Sequence, residues 1–344
     1  MIGEKMNLIK IAELSKLTPG DSFKSIFVIT ELFQKTDKNG RSYYDVSVSD
    51  STGNIEAKIW SDATWIDRST AEKESSDEIL SEEQTLELLG KTVGVHGKTT
   101  EYRKQLQFNF SKITLLNQDK FPAAQYLPRS PIPIEEMLTR YESLVDSCRP
   151  QIANFIKYVY KDQVWLQFRD WPAAVSHHHA YANGLLEHTL AVADCAKSMA
   201  ESMRRSGYDI DVDIVVAGGL LHDLGKIDSY KMTSIPEMTL EGAVIDHVAK
   251  GYLRLMQYAE EYKLDESLKL HLAHIMLSHH GQRDFGSPVV PATPEALIVS
   301  SADELDFRIF CWNESVKDLP DNQPISQWHN ATGRRFWKRE SSEE

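Results

Sequence analysis

Along residues 25–115 apolar and polar side chains alternate, whereas beyond Pro133 the apolar positions recur every three or four residues. Alternation puts successive side chains on opposite faces of a strand, and the longer period lines one face of a helix. Residues 25–33 are β-favouring, and Lys38-Asn39-Gly40 supplies a turn. Tyr44, Val46 and Val48 then alternate with Asp45, Ser47 and Ser49. Past the turn Ser51-Thr52-Gly53, Ile55, Ala57 and Ile59 alternate with Glu56, Lys58 and Trp60, which aims Trp60 outward. A short helix is predicted over 81–89, with Ser81 as N-cap and Gly90 as stop. Two more strands follow over 92–99 and 105–115, and Leu106, Phe108 and Phe110 share a face assigned to the core. Three strands, a helix and two strands is the order of an OB-fold barrel, which commonly binds oligonucleotides.

Pro122, Pro128, Pro131 and Pro133 make 121–133 a semi-rigid linker. After it, 137–145, 152–160, 185–203, 214–221, 244–262, 268–277 and 294–310 carry helical periodicity. The expected architecture is therefore multidomain. An all-β OB-fold barrel over 1–120 precedes the linker 121–133, an all-α domain over 134–315 and a polar C-terminal tail over 316–344.

A net charge of -13 weighs against a polyanionic partner, but the acids are unevenly placed. Residues 61–90 hold nine acids against two bases, while the rest of 1–120 has fourteen bases and ten acids. A locally basic barrel surface is compatible with that distribution. Lys35, Lys38 and Arg41 on the first barrel loop, with Tyr43 and Trp60, are the candidate nucleic-acid contacts, cations for phosphates beside π-faces for bases. Trp165, Trp171 and Trp328 suit packing or rim positions, Cys195 suits the core, and His271 and His274 suit the surface or the surroundings of a site. No apolar run reaches membrane length, and the N-terminus lacks the pattern of a signal peptide. Cys148, Cys195 and Cys311 are odd in number and far apart, which argues against a disulfide framework. A cytoplasmic protein with no membrane partner is expected; nothing in the sequence sets its oligomeric state.

The chemistry centres on His222-Asp223, which ends the apolar run from Ile214 to Leu221. An imidazole and a carboxylate at the edge of a core are costly unless something compensates them, and a bound cation does so. His188 aligns with Val192, Cys195 and Met199, Asp303 aligns with Val299, and His279 ends an apolar stripe. Ionisable groups on the inward faces of several helices are how metal sites in helical cores are built. Imidazole and carboxylate suit Mn, Fe or Zn.

The order His188, His222-Asp223, His247, His279-His280 and Asp303 resembles the H…HD…H…HH…D pattern of the HD superfamily of metal-dependent phosphohydrolases. That resemblance implies two divalent ions, with His188, His222, Asp223 and Asp303 around one and Asp223, His247, His279 and His280 around the other. Mn²⁺ is the implied metal, with Fe, Co or Ni also fitting the ligands. HHHAYANGLLEHTL, GGLLHDLGK, SHHGQRDFGSPVVPATPEALI and SADELDFRI, behind an OB-fold, look like the YhaM-type 3′→5′ exoribonucleases of bacteria. The implied activity is removal of nucleoside 5′-monophosphates from the 3′ end of single-stranded RNA, with single-stranded DNA a further substrate. Hydroxide generated between the ions would attack phosphorus, and Asp223 would fix its position. Lys226, one turn beyond the pair, is a catalytic candidate for the same phosphate. His178, His179, Arg283 and Ser287 are candidate substrate-phosphate contacts. Two other readings remain: an HD phosphodiesterase acting on a cyclic dinucleotide or nucleotide, and a non-catalytic nucleic-acid-binding protein. The GYP-containing extension of many cyclic-dinucleotide HD enzymes is absent after His280, where Gly281-Gln282-Arg283-Asp284 stands.

Overall fold

The computed structural model describes residues 8–70, 72–73, 78–102, 105–175, 179–232, 235–317, 319–320 and 322–339. The chain forms two compact units: Met1–Arg129 with Met232–Ile235, and Ser130–Lys231 with Pro236–Glu344. The division falls inside the proline-rich run.

In the first unit a short helix, α1 (Ile11–Leu14), precedes β1 (Ser22–Thr36), β2 (Ser42–Asp50) and β3 (Gly53–Asp67), with the two-residue β4 (Glu78–Ile79) laid on the end of β3. After α2 (Glu82–Leu86) come β5 (Thr92–Tyr102) and β6 (Gln105–Leu115). β1 pairs with β2 and β5, β2 with β3, β5 with β6, and β3 with β6 in parallel, so the sheet closes on itself. Five strands closed in the order β1-β2-β3-β6-β5, with a helix between the third and fourth, are an OB-fold barrel. The inward positions of the alternating pattern fill it: Phe27, Val48, Ile59, Val93, Val95 and Ile113 are buried. Asp50 fixes the turn between β2 and β3. Its Oδ1 accepts from Thr52 N and Oγ1 at 2.7 and 2.6 Å, and its Oδ2 accepts from Ile11 N at 2.8 Å. Leu106 departs from its expected place. Phe110 is in the core and Phe108 packs on its edge, but Leu106 lies half-buried in an outer groove with Phe33, Lys35, Asp45, Lys58 and Tyr102.

The second unit is helical: α3 (Ile134–Asp146), α4 (Pro150–Val159), α5 (Asp162–Asp170), α6 (Gly184–Arg205), α7 (Val212–Leu221), α8 (Lys226–Ser229), α9 (Leu240–Ile245), α10 (His247–Tyr262), α11 (Glu266–Ser278) and α12 (Pro294–Val316). A small hairpin, β7 (Tyr230–Met232) and β8 (Pro236–Met238), interrupts them. α7 is buried from Ile214 to Leu221, because it is apolar all round and lies against α6, α11 and α12. α5, nine residues long, escaped the periodicity reading. The helix expected over 244–262 is broken at Asp246, whose φ of 72° lies in the left-handed region and whose side chain caps Val248 N at 2.9 Å. That break makes His247 the first residue of α10. No helix among the described residues is long and apolar enough to cross a membrane.

Gly225 lets the loop after α7 touch the start of α10. A Cβ there would overlap His247 O and Gly251 N, both backbone atoms that cannot swing aside. Gly225→Ala is therefore expected to lower unfolding stability by on the order of 3 kcal/mol. Urea denaturation checks this, and an unchanged midpoint would show that the loop and α10 separate freely.

Candidate metal centre

Five histidines and two aspartates reach one place from five segments. His188 projects from the middle of α6, His222 and Asp223 follow the end of α7, and His247 opens α10. His279 and His280 follow α11, and Asp303 lies on α12. His188 Nε2 is 3.2 Å from Asp223 Oδ2, 3.3 Å from Asp303 Oδ1 and 3.2 Å from His222 Nε2. Asp223 turns its other oxygen the opposite way: Oδ1 is 3.5 Å from His247 Nε2 and 3.8 Å from His279 Nε2. His247, His279 and His280 offer ligand atoms within 4.8 Å of one another, as do His188, His222 and Asp223. All seven residues expected as ligands are thus brought together, in two groups that share Asp223.

Each imidazole is held by its Nδ1. His188 Nδ1 lies 2.7 Å from Asp306 Oδ2, His222 Nδ1 2.8 Å from Gly219 O, and His247 Nδ1 3.1 Å from Asp246 Oδ1. His279 Nδ1 lies 2.8 Å from Met276 O, and His280 Nδ1 2.9 Å from Phe285 O. Every one of these partners is an acceptor, which favours the proton on Nδ1 and turns Nε2 toward the site. This is how metal-binding histidines are oriented by their surroundings.

Electrostatics divide the imidazoles: burial opposes charge on His188, but Asp223, Asp303 and Asp306 around it outweigh burial and hold it well above its ordinary pKa, whereas His279 and His280 shift the other way. Burial, with the neighbouring His280 and His222, holds His279 well below its ordinary pKa, and burial with His247 lowers His280. Both are neutral ligands at neutral pH. Burial opposes ionisation of Asp223, but the Lys226 ammonium leads the neighbouring groups that outweigh it and keep the carboxylate charged. Both Asp223 oxygens, His247 Nε2 and His279 Nε2 are buried with no hydrogen-bond partner among the described residues, although Lys226 Nζ sits 2.7 Å from Asp223 Oδ2 as an ion pair. Buried acceptors left in this state are expensive. Divalent cations fit: they need acceptor-only ligands, and His188, His222, Asp223 and Asp303 in one group, with Asp223, His247, His279 and His280 in the other, supply them.

Lys226 is not at the solvent; it is 6% exposed and packed on Asp223, whose charge offsets the burial that would otherwise discharge it. His179 is buried, with Nδ1 2.7 Å from Tyr181 Oη and Nε2 3.1 Å from Asp306 Oδ2. His178 lies outside the described residues. Arg283 is exposed in a single turn of 3₁₀ helix (Arg283–Phe285), while Ser287 is buried with no partner for its Oγ among the described residues. Asp306 went unread in the sequence. Standing three residues after Asp303 on α12, it accepts from both His179 and His188, and both hold its carboxyl below the usual range despite burial.

On the barrel, Tyr43 and Trp60 face each other across β2 and β3, ring centroids 5.0 Å apart. Lys58 Nζ lies 4.4 Å above Tyr43, and the Arg41 guanidinium 5.3 Å from the Trp60 ring. Their charges are largely met locally: Lys35 and Lys58 pair with Asp45 at 2.6 and 3.2 Å, and Arg41 with Asp62 at 3.0 Å. Lys38 is exposed in the turn between β1 and β2.

Residues 185–308, within the helical unit, match the family model described as HD domain. The 3′-5′ exoribonuclease YhaM of Bacillus subtilis (strain 168) is 27% identical across 93% of this chain and 95% of its own length. The protein of the same name from Bacillus licheniformis is 28% identical across 87% of this chain and 89% of its own. Among solved structures, the second OB-fold domain of replication protein A from Methanococcus maripaludis is similar over 30% of this chain and 90% of its own, at 17% identity and a TM-score of 0.19. At that score the barrel assignment rests on the strand order alone.

Asp306→Ala removes the acceptor behind His188 without touching a ligand. Affinity for a divalent ion, measured by calorimetry on metal-stripped protein, is expected to fall about 10–100-fold. Affinity equal to wild type would show that Asp306 does not orient His188.

Proposed function

We propose that this HD-domain chain is a divalent-metal-dependent 3′→5′ exoribonuclease that releases nucleoside 5′-monophosphates from single-stranded RNA. The observation that carries the reading is the pair of ligand groups sharing Asp223, with every imidazole turned Nε2-inward. The similarity to the YhaM exoribonucleases over most of the chain supplies the substrate and the direction.

Two ions, Mn²⁺ first and Fe, Co or Ni next, suit the imidazole and carboxylate donors. When bound they acidify water near neutral pH and neutralise charge developing on phosphoryl oxygens. The remaining chemistry belongs to the side chains. Asp223, shared and locked between α7 and Lys226, sets where the nucleophile and phosphorus meet. Lys226 presents a buried ammonium beside that point, where it stabilises a phosphate oxygen more strongly than a solvated lysine would. Arg283, which is exposed, and Ser287, whose buried Oγ has no partner among the described residues, are the substrate-phosphate contacts in this reading. His179, tied to Asp306 and Tyr181, serves by holding that network. The barrel over 1–120 engages the strand through Tyr43 and Trp60 as stacking faces, with Lys35, Lys38 and Arg41 for phosphates. The domain over 134–315 carries out hydrolysis. Single-stranded DNA would stack equally well, and selection for RNA falls to contacts with the 2′-hydroxyl.

The test uses 5′-labelled single-stranded RNA and metal-stripped protein resupplied with one divalent ion at a time. A ladder shortening from the 3′ end with mononucleotide product is expected. Asp223→Ala should lower turnover by more than about 10³-fold, and Lys226→Ala by about 10²-fold at unchanged RNA affinity. Intact RNA alongside cleavage of a cyclic dinucleotide would keep the metal site and overturn the substrate.

A further inference from the structure

Residues 322–339 contain Arg334, Arg335, Lys338 and Arg339 and no acid, between Asp321 and Glu340, in a chain whose net charge is -13. They fold back on themselves. Isolated bridges join Ile325 to Trp337 and His329 to Arg334. Ser326 N donates to Phe336 O and Phe336 N to Ser326 Oγ, both at 2.8 Å, and Lys338 N donates to Pro324 O at 2.7 Å. Gly333, at φ 61°, occupies the left-handed position the turn requires. Trp312 on α12 anchors the hairpin by donating from Nε1 to Trp337 O at 3.0 Å.

The interior of this hairpin is small. Ser326 is buried, and His329 and Phe336 meet edge to face at 5.9 Å. The tryptophans are left outside: Trp328 is 57% and Trp337 63% exposed. Of the two places expected for Trp328, packing or rim, its exposure excludes packing. Arg334, Arg335 and Arg339 are exposed, and no carboxylate among the described residues is ion-paired with them. Here the hairpin differs from the barrel, where Lys35, Arg41 and Lys58 each have an acidic partner. One exposed apolar side chain is ordinary. Two tryptophans beside guanidinium groups with no described acidic partner, on an anchored hairpin, provide what single-stranded nucleic acid takes up, π-faces for bases and charge for phosphates.

We propose that residues 322–339 form a second single-stranded nucleic-acid surface, with Trp328 and Trp337 stacking bases and Arg334, Arg335 and Arg339 contacting phosphates. The inference rests on the nuclease reading for its ligand. Trp312 and Asp303 share α12 nine residues apart, about 14 Å along the axis, so the hairpin anchor and a metal ligand sit on one rigid element. A strand held there would be gripped close to the hydrolytic centre, independently of the barrel.

Fluorescence anisotropy of a labelled oligouridylate of about 20 nucleotides, titrated with full-length protein in EDTA at several salt concentrations, tests this. Trp328→Ala with Trp337→Ala should raise Kd at least about tenfold. Arg334→Gln with Arg335→Gln should flatten the slope of log Kd against log salt by about 1.4, whereas the paired Arg→Lys substitutions keep the slope. Unchanged melting temperatures confirm that these exposed positions leave the fold intact. If wild type binds RNA and the hairpin variants bind it equally well with the same slope, the hairpin surface is refuted and the nuclease reading stands. If wild type binds no single strand at all, both fall. Capture of an acidic peptide by the hairpin in place of RNA would also overturn the assignment.

Discussion

The carboxylate of Asp223 is the group around which the helical unit is built. It is 3% exposed, ends the most apolar helix of the chain, and faces His188 and His222 on one side and His247 and His279 on the other. A charge taken that far from water is strongly unfavourable unless cations surround it. Lys226 supplies one, and the inward-turned imidazoles create places for others. The rest of the site follows from this need. α6, α10, α11 and α12 each contribute a donor, and the close loop at Gly225 brings α10 near enough for His247 to take part. Backbone carbonyls at Gly219, Met276 and Phe285 then fix the tautomers.

Much of this was legible in the sequence because it broke a pattern. His222-Asp223 stood out against eight apolar neighbours, and His188 and Asp303 lay on inward stripes. The barrel strands were legible by alternation, and the closed strand order follows it. What was not legible has a common character. Carbonyl acceptors carry no side-chain signature at all. Asp306 looks like any acid three residues along a helix until the fold sets it against His179 and His188. Asp246 breaks a continuous helical period through a backbone conformation that aspartate adopts only with local support, here Val248 N and His247. Leu106 kept the alternation of β6, yet it lies toward the strand end where the barrel opens into a groove.

Charge distribution separates the two proposed nucleic-acid surfaces of this acidic protein. On the barrel, Asp45 and Asp62 tie down Lys35, Lys58 and Arg41, so the Tyr43–Trp60 pair offers stacking with much of its charge already matched. At the C-terminal hairpin the guanidinium groups lack described partners, and salt should govern binding there. Net charge over the whole chain therefore says little about where nucleic acid would lie.

The central claim is that Asp223 serves two ligand groups at once. Elemental analysis of metal-loaded, extensively dialysed protein measures it most directly. Two divalent ions per chain in wild type, one in His279→Ala and none in folded Asp223→Ala is the expected series. Retention of a full ion complement by Asp223→Ala would contradict the account, since the groups would then be independent of the carboxylate placed between them.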